Sequence, residues 1–563
     1  MKINGAKMVI ESLKEENIEV VFGYPGGAVM NIYDEIYKQD YFQHILVRHE
    51  QAALHAADGY ARASGKVGVA IVTSGPGFTN AVTGLATAYL DSIPLVLISG
   101  QVAKEIIGTD GFQEVDAVGI ARPCTKHNFL IRDAKEIPKI IKEAFYIAST
   151  GRPGPVHIDI PKDITIDEAE FIYPDFIDIP TYKPTIKGNK NQIRKFLDAL
   201  CLAKRPIFYV GGGAILSSCA NEIKELAKKA NIPVVETLMA RGVMGHDNPL
   251  LFGMLGMHGE YAANIAMHEA DIIISLGARF DDRVTGRLDE FAKRAKVVHI
   301  DIDPASIDKI VRPDFPIVGD LKYVVNDILA CLHKYNLQDY NPWLEQLREN
   351  RKKEPLKYRD NKKMLKPQWV IERIGKILGS KAIISSDVGQ HQMWTAQFYP
   401  FSYPRQWLSS GGLGTMGFGL PAAMGAARAC KDKVSVNISG DGSILMNIQE
   451  ILTCAEYDLP VINIVINNKY LGMVKQHQSL FYENRLSSTD LNFGPDFIKL
   501  TQGLKGIAFQ VKTKEEFDKA LKEAIKAKKV ALIEVLVYKD ENVYPMVPNG
   551  HALDEMMLLG EEK

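Results

Sequence analysis

Residues 434–468 read VSVNISGDGSILMNIQEILTCAEYDLPVINIVINN, and this stretch decides the fold. Val434 to Ile438 predicts a strand, Ser439 to Ser443 is turn chemistry, and the pattern from 444 to 456 predicts a helix. Residues 461–466 predict a second strand, which ends at Asn467-Asn468. Two strands joined by one crossover helix lie parallel. Asp441 and Asn468 then fall at the C-terminal ends of parallel strands, the edge at which open α/β sheets bind ligands. Both side chains offer oxygen, and a small hard cation such as Mg²⁺ takes one or two carboxylates together with phosphate oxygens. Gly440 and Gly442 leave room for a phosphate, and Ser443 leads into a helix whose N-terminus favours negative charge. Taken alone, Gly-Asp-Gly fits a plain βα turn equally well.

Outward from this stretch the same alternation runs through the chain. Strands are predicted at 20–24, 45–47, 68–73, 95–99 and 156–160, and the first four each lead through a turn into a helical pattern. Residues 1–165 thus form one unit, and the Asp-, Pro- and Tyr-rich segment 165–190 reads as a linker. A second unit occupies 190–340, a charged segment at 345–366 reads as a solvated helix and second linker, and a third unit occupies 366–540. Residues 541–563 form a C-terminal tail. The expected fold is α/β, with three doubly wound domains, each a mostly parallel sheet flanked by helices. No sequence repeat joins the three units.

Composition narrows the class. The 563 residues are 46% hydrophobic and 24% charged, which is ordinary for a globular chain. A net charge of −1 gives no electrostatic case for nucleic acid or an anionic membrane. Six cysteines without a CxxC pair predict reduced, mostly buried thiols, as in a cytoplasmic enzyme. Residues 1–10 show neither a secretory nor a transit pattern, and no apolar run approaches the ~20 residues needed to span a bilayer.

Gly-Asp-Gly-Ser, followed one helix and one strand later by Asn-Asn, resembles the diphosphate-and-metal motif of thiamine-diphosphate enzymes. RHEQAALHAADGYARASG at 48–65, with TSGPG at 73–77, is similar to the pyrimidine-binding domain of that class. The resemblance implies that Asp441, Asn468 and the main-chain carbonyl of Tyr470 hold Mg²⁺. Gln390, Gly440, Gly442 and Ser443 would lie against the cofactor. It also implies that Glu50 exchanges a proton with the pyrimidine ring. On residue type alone, Glu50 is a first-turn acid favoured by the helix dipole. His49 and His55 read as structural. In SGGLGTMG at 410–417, the resemblance places Met416 under the cofactor, holding it bent.

Most of the chain resembles the catalytic large subunit of acetohydroxyacid (acetolactate) synthase. The likeness is carried by FGYPGGAVMNIYD at 22–34, GTDGFQEVD at 108–116, GRPGPVHIDIPKD at 151–163 and MLGMHG at 254–259. GARFDDRVTG at 277–286, GQHQMW at 389–394 and YPMVPNGHALDEM at 544–556 extend it. By this likeness the middle unit holds FAD in a non-redox role, touched by Arg152, Gly211, Gly212, Gly213, Thr237, Leu238, Met239, His258, Arg279, Asp301 and Asp320. Gly27, Gln113 and Lys162 match further active-site positions. Arg283 matches the residue that binds the carboxylate of a second 2-oxo acid, a task suited to a planar guanidinium. An ion pair with Asp281 or Asp282 is the alternative from spacing.

The implied reaction decarboxylates pyruvate and transfers its two-carbon unit. The acceptor is pyruvate, giving 2-acetolactate, or 2-oxobutyrate, giving 2-aceto-2-hydroxybutyrate. This is the first common step toward valine, leucine and isoleucine. A homodimer or homotetramer with active sites between chains and a small regulatory subunit are likewise implied. Two other readings of the fold remain open here, a flavin-dependent pyruvate oxidase and a simple 2-oxo acid decarboxylase. The chain departs from the family at one place. Gly472-Met473-Val474-Lys475-Gln476-His477-Gln478 carries His477 where the family has Trp. Met473 and His477 belong to the pocket for the acceptor's alkyl group, so the departure predicts a weaker preference for 2-oxobutyrate.

Overall fold

The computed structural model describes residues 2–361 and 363–560, so Met1 and the last three residues of the expected tail lie outside it. Among the described residues, twenty strands form three six-stranded sheets and one two-stranded pair. The first sheet uses β2 (Val20–Tyr24), β3 (Gln43–Leu46), β4 (Gly68–Val72), β5 (Leu95–Gln101), β6 (His127–Leu130) and β7 (Pro155–Pro161). It is flanked by an antiparallel pair of β1 (Lys2–Asn4) with β8 (Glu168–Glu170). The middle sheet holds β9 (Pro206–Val210), β10 (Val234–Glu236), β11 (Leu251–Met254), β12 (Ile272–Leu276), β13 (Lys296–Asp301) and β14 (Phe315–Val318). The third holds β15 (Ala382–Ser386), β16 (Trp407–Ser409), β17 (Val434–Gly440), β18 (Ile462–Asn467), β19 (Ile507–Val511) and β20 (Ala531–Leu536).

Within the three large sheets every neighbouring pair is parallel. Parallel sheets carry helices on both faces, so their central strands read as unbroken apolar runs. β4 and β5 are buried at every residue for this reason.

Strand order separates the sheets into two kinds. The first sheet runs β3-β2-β4-β5-β7-β6 and the third runs β16-β15-β17-β18-β20-β19. Position for position these are the same topology, a kinship invisible as a sequence repeat. The middle sheet runs β11-β10-β9-β12-β13-β14. That is the order of a dinucleotide-binding sheet, with the switch point between β9 and β12.

The first and third domains share one core. Residues of β2, β4 and β5 cluster with Leu420, Ala423, Met424, Ile451 and Leu532. At its centre the helix Glu50–Ser64 lies against the helix Gly419–Ala429. The contact is made of small residues. A Cβ on Gly59 would come 2.2 Å from the Ala422 carbonyl oxygen, and one on Gly425 would come 2.0 Å from that of Ala56. A helix buried all round has no room for a polar face, which explains its run of alanines.

Three local expectations are corrected. The helix expected over 444–456 is broken into Asp441–Ile444 and Glu450–Glu456. Asn447 in the gap donates from Nδ2 to the Gly417 carbonyl at 2.7 Å, so the break admits the preceding loop. β6 was not expected, since its His and Asn obscure an edge strand. The charged segment after 340 is not a free solvated helix. Asn341–Lys353 buries Trp343, Leu344 and Leu347, and the Trp343 indole donates to the Pro206 carbonyl at 3.1 Å.

Gly425→Val inserts three carbons where none fit. It is expected to lower stability by about 1–3 kcal/mol, the usual cost of overpacking, as measured by urea unfolding.

Candidate active site

β17 ends at Gly440 and β18 at Asn467, on neighbouring strands of one parallel sheet. Asp441 and Asn468 therefore sit side by side at the carboxyl edge. Both are buried, with 5% and 7% exposure. Burial pushes the Asp441 carboxyl up to about 7, against a weaker opposing pull from nearby main-chain N–H groups and Lys469. Asn468 Oδ1 accepts from Tyr470 N at 3.1 Å, and its Nδ2 donates to Gln390 Oε1 at 3.2 Å. Lys469 between them is left-handed at φ 64°, which turns the chain back over the edge. Ser443 Oγ accepts from Gly440 N at 3.1 Å.

The two glycines have a protein-side reason as well as a ligand-side one. A Cβ on Gly440 would stand 3.0 Å from His391 Nδ1, and one on Gly442 2.8 Å from Leu471 Cδ2. Asp441 and Asn468 both present side-chain oxygen at this edge, and Tyr470, which bonds to Asn468, adds a main-chain carbonyl to the oxygen set expected here. Among the described residues no group of three or more His, Cys, Asp or Glu could hold a metal ion. The set suits a hard cation that completes its shell with phosphate oxygens.

The tail is tied to this edge. Gln390 Nε2 donates to Gln476 Oε1 at 2.9 Å and to the Glu541 carbonyl at 3.0 Å. Gln476 exchanges two bonds with the Val543 main chain, at 2.9 and 3.1 Å. The tail then reaches the middle domain, where Val547 N donates to the Met257 carbonyl at 2.7 Å.

The equivalent edge of the first sheet gathers Gly27, Glu50 and Gln113. Glu50 opens its helix and is 9% exposed. Asn80 Nδ2 donates to Glu50 Oε2 at 3.0 Å, while Oε1 lies 3.5 Å from where a Cβ on Gly77 would be. Gln113 is held in a left-handed conformation at φ 60°, and its main chain abuts Gly75. Nothing stands within 4 Å of a Cβ on Gly27, so that edge is open. Lys162 is exposed at the end of β7. His49 is structural as expected, since its Nδ1 caps the helix by accepting from Gln51 N at 3.1 Å. His55 is fully buried and pushed down to about 3 by burial. No hydrogen bond joins Glu50 to Asp441 or Asn468 among the described residues.

A cavity of about 830 Å³ opens at the switch point of the middle sheet. Arg152, Gly211, Gly212, Gly213, Thr237, Leu238, Met239, His258, Arg279, Asp301 and Asp320 all line it, together with Arg283, Met473 and His477. The triple glycine serves loop packing first, because a Cβ on Gly211 would meet the Gly277 carbonyl oxygen at 2.3 Å. Thr237 Oγ1 and His258 Nδ1 are buried without a hydrogen-bond partner, a cost that a bound polar group would relieve. Burial lowers His258 to about 4, so it stands neutral. Asp320 also caps the helix Leu321–Cys331. Arg283 is 3.5 Å from Asp282 and donates to Asn549 of the tail at 3.3 Å. It is therefore paired and yet lines the cavity. His477 Nε2 is buried and unpartnered.

Three family models match consecutive parts of the chain. They are the thiamine pyrophosphate enzyme N-terminal TPP binding domain at 3–120, the central domain at 193–328 and the C-terminal TPP binding domain at 387–535. The acetolactate synthase large subunit of Haemophilus influenzae is 48% identical over 563 residues, covering 99% of this chain and 98% of its own. The chain belongs to the acetolactate synthase large-subunit family. The isozyme 3 large subunit of Escherichia coli is 47% identical over 570 residues, covering 100% of this chain and 99% of its own. The acetolactate synthase of Mycobacterium leprae is 47% identical over 564 residues, covering 99% and 90%.

Within this family frame, several supporting groups escaped the sequence reading. Glu450 is buried, is pushed up to about 7 by burial, and accepts from Arg48 N at 2.9 Å, two residues before Glu50. Asn80 and Gln476 act as partners only through tertiary contact. Gln476 lies within the family segment 472–478, but its partners there could not be read from sequence, and nothing around Asn80 marks it. The six cysteines are free, two buried and four half-buried, a more exposed set than expected. No helix among the described residues is long and apolar enough to cross a membrane.

A raised carboxyl binds its proton more tightly in the folded state than at its ordinary value of 3.8. Such a group takes stability away as pH rises from about 4 through about 7. In the cofactor-free chain, Asp441→Asn is expected to be more stable than the parent at pH 8, by on the order of 4 kcal/mol at most. The advantage should shrink as pH falls and vanish near pH 4, as read from urea unfolding at stepped pH.

Proposed function

We propose that this chain is an acetolactate-forming carboligase that uses thiamine diphosphate, Mg²⁺ and a non-redox FAD. The observation that carries this reading is the single cavity shared by the flavin-type residues and by Arg283, Met473 and His477. A carboxylate-recognising arginine beside that cavity suits a second 2-oxo acid, which an oxidase or a simple decarboxylase does not need. Each relative named above is an acetolactate synthase, which favours carboligation over those two alternatives.

Thiamine diphosphate, when bound, supplies the electron sink that lets pyruvate lose its carboxylate. The residues around it have separable tasks. Asp441, Asn468 and the Tyr470 carbonyl would hold Mg²⁺, and Gln390, Gly440, Gly442 and Ser443 would line the diphosphate site. Asn80 engages Glu50 Oε2, which leaves Oε1 to exchange a proton with the pyrimidine nitrogen. Met416 lies in the turn fixed by Asp387, whose Oδ1 accepts from Gly417 N at 2.8 Å, and would pack against the cofactor. Gly27, Gln113 and Lys162 contact substrate. The eleven flavin-type residues hold FAD at the switch point of the middle sheet.

On this reading 1–165 binds the pyrimidine, 190–340 binds FAD, 366–540 binds the diphosphate, and the tail from 541 covers the site. Glu50 and Asp441 belong to separate half-sites of one chain, so a second copy completes each site. The exposed apolar side chains Tyr24 and Met30 beside Gly27, and Leu445 and Met446 beside Ser443, support that assembly. The proposed assembly is a dimer or tetramer, and the name "large subunit" borne by relatives supports a smaller partner subunit; a regulatory role for that partner and a place in cytoplasmic branched-chain amino acid synthesis belong to the same proposal.

Incubation with pyruvate, thiamine diphosphate, Mg²⁺ and FAD is expected to yield acetolactate and no stoichiometric acetaldehyde, as read by product analysis. Glu50→Gln should lower kcat by about 100-fold or more, the scale of a lost acid–base group. Retention of full activity removes the mechanism. His477→Trp restores apolar contact worth about 1–3 kcal/mol. Competition between 2-oxobutyrate and pyruvate should then shift toward 2-oxobutyrate by about 10-fold or more.

A further inference from the structure

A buried charge cluster lies outside all the site residues described. Arg62, on the helix that Glu50 opens, donates from Nε to Asp58, from Nη2 to Asp91 Oδ2 at 2.8 Å and from Nη1 to the Ser409 carbonyl at 2.9 Å. The three side chains are 5%, 0% and 1% exposed for Arg62, Asp58 and Asp91. The guanidinium also lies over the Phe418 ring, 5.2 Å from its centroid.

One guanidinium faces two carboxyl groups away from water, and burial pushes the Asp58 carboxyl up toward its neutral form. A buried carboxylate in that position needs further donors. They come from a loop of the third domain. Gly411 N donates to Asp91 Oδ2 at 3.0 Å and Gly412 N to Oδ1 at 2.7 Å. Thr87 and Thr415 hydroxyls pair at 2.8 Å further along. The loop amides thus supply two of the hydrogen bonds to Asp91, and displacing the loop would leave only Arg62 to satisfy it. The glycines have a matching reason. A Cβ on Gly412 would stand 2.9 Å from Asp91 Oδ1, and one on Gly411 2.3 Å from Met239 Sδ. Asp91 and Gly411 also line the central cavity with Met239.

We propose that Asp91 is a positioning residue, which with Arg62 sets the third-domain loop Ser409–Met416 from the first domain of the same chain. The proposal rests on the thiamine-diphosphate reading of Met416. It explains why a Gly-dense loop, free to take many shapes, holds one.

The test compares the full-length parent and Asp91→Asn with thiamine diphosphate, Mg²⁺ and FAD at saturation. Both are read below their unfolding temperatures, as monitored by far-ultraviolet circular dichroism. The expected result is a fall in kcat of about 10-fold or more, the scale of a small misplacement at the reacting centre. KM for pyruvate should stay within about threefold, since no substrate contact is removed. The near-ultraviolet dichroism of bound thiamine diphosphate should also change, a signature that a merely stabilising residue would leave alone. Parent-like kcat and spectrum in a folded variant overturn the proposal. Should Asp91→Asn fail to fold, Thr87→Val decides, because it removes a second anchor of the same loop without touching the charges. It should change the spectrum in the same direction, and a parent-like spectrum overturns the proposal. A parent chain that binds no thiamine diphosphate removes the functional reading itself, which separates the two failures.

Discussion

The close contact between the helices Glu50–Ser64 and Gly419–Ala429 is the constraint on which the rest depends. It joins the first and third domains into one core, and it works only because both helices present alanine and glycine. Small side chains let the backbones approach, so the two sheets are held at a set distance. Glu50 sits at one end of this contact, and the Gly-dense loop leads into its other helix. A change in helix spacing would therefore be felt at both edges.

Around that contact the chain buries several carboxylates. Asp387, Asp441 and Glu450 are pushed up to about 6, 7 and 7, chiefly by burial. Asp387 and Glu450 are engaged by loop amides or hydroxyls, and their role is to hold backbone in place. Asp441 differs, because its side chain lies at an open sheet edge with oxygen donors beside it.

Much of the site was legible because its elements obey local rules. A strand, a Gly-Asp-Gly turn and a crossover helix place Asp441 without reference to anything distant. The flavin-type residues, together with Arg283, Met473 and His477, line one cavity although they are spread over three domains. What escaped was whatever a local pattern cannot encode. The broken helix after Ile444 depends on a loop inserted from elsewhere, and the buried stripe of Asn341–Lys353 is three residues in a charged background. The shared topology of the first and third sheets has no trace in sequence identity, since strand order is a property of pairing.

By itself the sequence determined the class of fold, the βα rhythm of three domains and the residue types able to bind metal, phosphate and carboxylate. It could do so because turn chemistry and hydrophobic periodicity act over a few residues. Only the tertiary structure decided which carboxylates are buried, which amides answer them and which side chains share a cavity. Asp91 illustrates the difference. In sequence it is one acid at the end of a helix. In the folded chain it is the acceptor for a loop more than three hundred residues away, because its buried carboxylate takes donors beyond Arg62.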